Sequence, residues 1–162
     1  MGLVSKPPGT SSILDAVAER KGLLVNYVPH ARAIGLAVVD VRPGEVWLRV
    51  PYADFLVGNP ETGVIHGGVI TTLLDNGGGA AVMTALDELR AVATLDLRID
   101  YMKPATPGRD IVGYCHCHKV TRHIAFVRGT AFHEMPDDPI ATAAMTFMVG
   151  ASRTLPGLVR GA

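Results

Sequence analysis

The stretch "VIHGGVITTLLDNGGGAAVM", residues 64–83, constrains the fold more than any other part of the chain. Read as a helix, it is apolar on every side from Val69 to Leu86, so no stripe is left for solvent and a sheet has to enclose it. Two features work against that burial. Asp75 sits in its middle, and an ionised carboxylate buried without partners is strongly unfavourable, so Asp75 is expected to face a cleft. Gly77, Gly78 and Gly79 follow, and three glycines cost a helix roughly 3 kcal/mol relative to alanines, which calls for close approach by a neighbouring helix or a slender ligand. The alternative is a helix that stops at Asn76, with the glycines forming a loop.

Strands flank this run. "AIGLAVVDV" and "EVWLRVPY" are rich in β-branched residues and are joined by Arg42, Pro43 and Gly44, which reads as a hairpin. Four further strand candidates follow: "AVATLDLRIDYM", "DIVGYCHCHKV", "IAFVRGTAFHE" and "IATAAMTFMVG". They are broken by "KPATPGR" and "MPDDP", where prolines interrupt pairing, and an antiparallel meander is expected. In the first of them Leu95, Leu97, Ile99 and Tyr101 alternate with Thr94, Asp96, Arg98 and Asp100, which predicts one core face and one wet face. Near the start, Ser12 with Asp15 marks an N-cap and Gly22 closes the amphipathic "ILDAVAERK", an extra N-terminal helix. The whole reads as α+β, a curved antiparallel sheet of about six strands wrapped around one long central helix.

With 162 residues, 48% of them hydrophobic, the chain suits one domain spanning 1–162, its core at about 33–151 and its ends flexible. Fifteen basic residues balance fifteen acidic ones, which provides no net field for nucleic acid or an anionic membrane surface. No apolar run reaches the length of a membrane span, and "MGLVSKPPGTSS" lacks the apolar core of a signal peptide. Cys115 and Cys117 would project to the same side of a strand, a poor geometry for a bridge, so a reduced, cytoplasmic protein is expected.

"CHCH" at 115–118 looks like a metal site, but on a strand the two cysteines share one face and His116 and His118 the other, so at most two ligands converge and no metal is expected. A Ser-His-Asp triad is equally unsupported, because Ser5, Ser11, Ser12 and Ser152 all lie near the ends and there is no nucleophile elbow. That leaves Asp75, and His66 at the entrance to its helix, as the chemistry-bearing residues of the central run.

"HGGVITTLLD" followed by "TLDLRIDYMKPA" resembles the hotdog-fold acyl-CoA thioesterases of the phenylacetate-pathway (PaaI-like) type, over about Ile34 to Gly150. The resemblance implies that Asp75 is the catalytic carboxylate, that Asn59 and the Gly67 amide hold the thioester carbonyl, and that Thr94 helps hold the water. His66 adjoins the proposed oxyanion donor and takes a site role, with Gly68 beside it in contact with substrate. Such roles suit these residue types. A backbone N–H at a helix N-terminus stabilises a tetrahedral oxyanion, and an aspartate can act as general base or attack the carbonyl to form a mixed anhydride.

The phosphates of coenzyme A need cations, for which Arg122 and His123 in "KVTRHIAF" are the candidates, with Lys103 and Arg98 behind them. Coenzyme A is part of the substrate, so no separate cofactor is implied. A hotdog acyl-CoA hydratase or dehydratase and a non-catalytic acyl-CoA-binding module are the alternatives on the same fold. The resemblance also implies a homodimer whose sheets join edge to edge and whose active sites are shared, commonly paired again into a homotetramer. Gly67 and Asp75 are about 12 Å apart along a helix rising 1.5 Å per residue, too far to serve one carbonyl, which points to the same sharing.

Overall fold

The computed structural model describes residues 25, 27–88 and 90–152. A short helix α1 (Pro29–Ala33) leads into β1 (Ala37–Arg42) and β2 (Glu45–Val50). A 3-10 turn (Asp54–Leu56) and two short strands, β3 (Val57–Asn59) and β4 (Val64–Ile65), deliver the chain to the central helix α2 (Gly67–Ala85). Four strands follow: β5 (Arg90–Tyr101), β6 (Ile111–Val120), β7 (Ile124–Phe132) and β8 (Ala141–Ser152). The amphipathic segment ending at Gly22 and the tail after residue 152 lie outside the described residues.

Six antiparallel strands form one sheet in the order β1-β2-β6-β7-β8-β5, and α2 packs on it, the expected hotdog arrangement. The β1–β2 hairpin forms at the expected turn, where Gly44 has a φ of 73° that a side chain would resist. Leu48 and Val50 on β2, Ile111 on β6 and Phe147 on β8 meet Leu73 and Leu74 of α2 in the core.

The expected four-strand meander is corrected: β6, β7 and β8 pair in succession, but β5 pairs with β8 and lies three positions from β6. Crossing three strand spacings of about 4.8 Å is well within the reach of the connection 102–110. Side chains pin that crossing. The Thr106 N–H donates to His133 Nε2 at 2.9 Å, His133 Nδ1 lies 2.8 Å from the Asp110 carbonyl, and the Tyr52 N–H donates to Asp110 Oδ1 at 2.9 Å.

The faces of β5 also differ from simple alternation. Thr94 pairs with Phe147 and Asp96 with Thr146, so Leu95 is an extra residue in a bulge and stands exposed. Residues directly opposite across an antiparallel pair share a face, so Thr94 joins Leu97 and Ile99 on the inner face that Phe147 marks. Tyr101 is half exposed, because β5 is an edge strand that the helix covers only in part.

The helix runs unbroken through all three glycines. A Cβ on Gly77 would come within 2.8 Å of Cys115 Sγ, and one on Gly78 within 2.8 Å of both Met145 Sδ and Phe147 Cζ. The close approach is therefore made by the sheet's side chains, where the sequence suggests a second helix or a ligand. Burial of α2 is one-sided too. Val69, Ile70, Leu73, Leu74, Ala81 and Val82 are buried, while Thr71, Thr72, Asp75, Asn76, Gly79 and Met83 form a half-buried stripe away from the core.

Candidate active site

Asp75 lies on that half-buried stripe, which is how a carboxylate comes to occupy the central helix. Its Oδ1 accepts a hydrogen bond of 2.7 Å from Thr94 Oγ1, and among the described residues no cation pairs with it. Thr94 reaches it because the bulge at Leu95 turns that part of β5 inward. The pair opens into a cleft of about 160 Å³ whose remaining walls are mostly apolar: Gly79, Ala80 and Met83 from α2, Val92 and Phe147 from the sheet, and Val28 ahead of α1. A carboxylate oriented by one hydroxyl and set against an apolar wall can accept a proton from water or attack an electrophilic carbon.

The helix entrance is a second, separate place. His66 is the N-cap: its Nδ1 accepts the Gly68 N–H at 2.9 Å, which puts the ring proton on Nε2 while the cap is made. The Gly68 N–H is therefore engaged within the chain, and its carbonyl accepts from Thr72 Oγ1 at 3.0 Å. Gly67 occupies the first helical position, where an N–H has no intrahelical acceptor. Its carbonyl accepts from Tyr101 Oη at 2.9 Å, and Tyr101 also lies 3.0 Å from Thr71 Oγ1. This end opens into a different cleft of about 390 Å³, bounded by Val64, Ile70, Tyr101, Lys103 and Pro104 among others. Tyr101 is the neighbour of the helix entrance that residue-type reasoning passes over, although its place in "RIDYMKP" is part of the recognisable pattern.

Asn59 ends β3, exposed, with its Oδ1 accepting the Glu61 N–H at 3.0 Å across the β3–β4 turn. That strand lies directly against the cap, since a Cβ on Gly58 would come within 2.7 Å of His66 Cα. Arg122 and His123 are exposed at the β6–β7 turn and line a third cleft, of about 530 Å³, with Arg90, Leu95 and Met148. One chain thus brings Asp75 and Thr94 together, and brings His66, Gly67 and Gly68 together, but Asp75 and Thr94 line one cleft and Gly67 lines another.

On β6 the alternation is as expected: Cys115 and Cys117 point inward and are buried, while His116 and His118 are exposed. Burial, and secondarily the Asp75 charge, push the Cys115 thiol up to about 12, so it is no nucleophile at neutral pH. Among the described residues no helix is long and apolar enough to cross a membrane.

Comparison with known proteins bears on this geometry. A family model described as "Thioesterase superfamily" matches residues 62–140, which include α2 with Asp75, and Thr94 on β5. A medium/long-chain acyl-CoA thioesterase, YigI of Salmonella typhimurium, is 28% identical over 79% of this chain and 90% of its own length. A putative esterase of Halobacterium salinarum is 44% identical over 44% of this chain, and the match spans half of that protein's length. A Pseudomonas aeruginosa protein of known crystal structure superposes with a TM-score of 0.73 at 41% identity, over 80% of this chain and 96% of that one. The phenylacetic acid degradation protein PaaI of Thermus thermophilus shares the fold, with a TM-score of 0.65 at 23% identity over 75% of this chain and 98% of that one.

Proposed function

Since this chain belongs to the thioesterase superfamily and is an enzyme of that class, we propose that it hydrolyses an acyl-CoA thioester with Asp75 as the catalytic carboxylate. The observation that carries this reading is the Thr94–Asp75 hydrogen bond at the mouth of an apolar cleft. With Oδ1 held by Thr94, the other carboxylate oxygen takes a proton from water as the water oxygen bonds to the thioester carbon. The resulting oxyanion is held by the Gly67 N–H at the positive end of a helix. Collapse breaks the C–S bond, and the proton on Asp75 passes to the departing thiolate, leaving free acid and coenzyme A. Direct attack by the same oxygen, through a mixed anhydride, uses the same geometry.

Asp75 and Gly67 stay on one continuous helix about 12 Å apart at 1.5 Å per residue, so the Gly67 that serves a given Asp75 belongs to a second copy. The open edge of β5 and the half-buried stripe of α2 support a homodimer of this kind, with pairing into a tetramer beyond it. Asn59, whose side-chain oxygen is already used, would offer its amide N–H to the carbonyl, and His66 fixes the entrance that presents Gly67. Arg122 and His123 would meet the phosphates of coenzyme A, which is substrate and not cofactor.

The test is release of free thiol from a panel of acyl-CoAs by the wild type and by Asp75→Asn. The wild type should release thiol, and the variant, folded to the same degree by circular dichroism, should turn over at least about a hundredfold more slowly. Acyl chains hydrated with the thioester intact, or an unchanged rate in the variant, would overturn the reading.

A further inference from the structure

The packing of the described residues accounts for two of the three consecutive glycines 77–79 of α2 and leaves the third unexplained. Gly77 and Gly78 have sheet side chains where a Cβ would be, but among the described residues a Cβ on Gly79 would meet only Phe147 Cε1, at an ordinary 3.8 Å. Its φ is not positive, so the backbone does not ask for glycine either. A mid-helix glycine with room for a methyl group is a standing cost to the helix. What Gly79 does have is a place in the wall of the Asp75 cleft, one turn beyond the carboxylate, with Met83 a further turn along the same stripe.

We propose that Gly79 and Met83 set the size of the acyl group this enzyme accepts, an inference that rests on the reading of Asp75 given above. Bare backbone at Gly79 lets the acyl carbons lie against the helix beside the carboxylate, and the Met83 side chain closes the cleft behind them. The cleft measures about 160 Å³. That is close to the roughly 150 Å³ known to hold a benzene ring, so the part of the acyl site that one chain builds suits a compact group: a short chain or a single ring attached near the thioester. Long straight chains run into Met83.

The experiment measures kcat/KM by thiol release for acetyl-, hexanoyl-, phenylacetyl- and dodecanoyl-CoA, using the full chain in three forms: wild type, Gly79→Ala and Met83→Ala. The wild type should favour hexanoyl- or phenylacetyl- over dodecanoyl-CoA. In Gly79→Ala the hexanoyl-to-acetyl ratio should fall about tenfold or more, the discrimination that one methyl group produces in a filled apolar pocket. In Met83→Ala the dodecanoyl-to-hexanoyl ratio should rise by a similar factor. Alanine favours the helix at position 79, so loss of fold would not mask the result.

Ratios that stay flat in both variants would overturn the proposal while leaving hydrolysis by Asp75 intact, as would a wild type that prefers dodecanoyl-CoA. Sedimentation run in parallel decides against it if Gly79→Ala dissociates, because the glycine then serves the approach of a second copy. A wild type that releases no thiol from any of the four would remove the underlying thioesterase reading and this proposal together.

Discussion

An added methyl group at Gly78 would press on Met145 and on the Phe147 ring at once. Both are buried, so Gly78→Ala should lose up to about 2 kcal/mol in chemical denaturation, overpacking of 1–3 kcal/mol less the roughly 1 kcal/mol alanine returns to a helix. Asp110 makes a pH prediction. The Tyr52 N–H it accepts, helped by the Arg49 guanidinium, holds its carboxyl below the ordinary 3.8. A carboxyl lowered in the folded state stabilises it fully above the ordinary value, and that contribution is lost as pH falls through the folded value. The Tm gap between wild type and Asp110→Ala should therefore be widest near neutrality and narrow below about pH 4. The sequence shows the cleft at Asp75, because a lone carboxylate on a buried helix has few other places to be. It does not tell one glycine from the next, since what separates Gly78 from Gly79 is the position of side chains on β8, far along the chain.

The bulge in β5 decides whether Thr94 reaches Asp75. Regular alternation puts Thr94 on the wet face with Asp96, and the extra residue Leu95 reverses that parity. Nothing in the side-chain pattern announces the reversal. A bulge is set by the register against β8, and that pairing was itself hidden by the prolines of "KPATPGR", which read as an interruption within a meander and in fact begin a crossover. The hairpin of β1 and β2, by contrast, is legible from its turn residues, because its partner strands are neighbours in the chain. If the bulge exists to hand a hydroxyl to Asp75, Thr94→Ser should retain most of the turnover. Thr94→Val, with the same shape and no donor, should lose about tenfold or more in kcat with little change in KM. Equal losses in the two would assign Thr94 to packing.

In the whole molecule, the proposed mechanism needs Asp75 of one copy and Gly67 of another, and complementation checks it. Asp75→Asn and Asn59→Ala subunits, dissociated and mixed, would form heterodimers with one doubly damaged site and one intact site. At random reassortment about a quarter of wild-type activity should return, and none would return if each chain carries a complete site. The strand order has a consequence in time as well. Among the described residues β5 has a single neighbour, β8, the last strand of the sheet to be made, and that neighbour fixes the bulge that aims Thr94. Loop closure over so long a separation is slow, so this edge joins late. A chain still emerging from the ribosome carries its carboxylate without the hydroxyl that orients it. On the proposed mechanism, the nascent protein works at reduced turnover until β8 has paired with β5 and the sheet has closed.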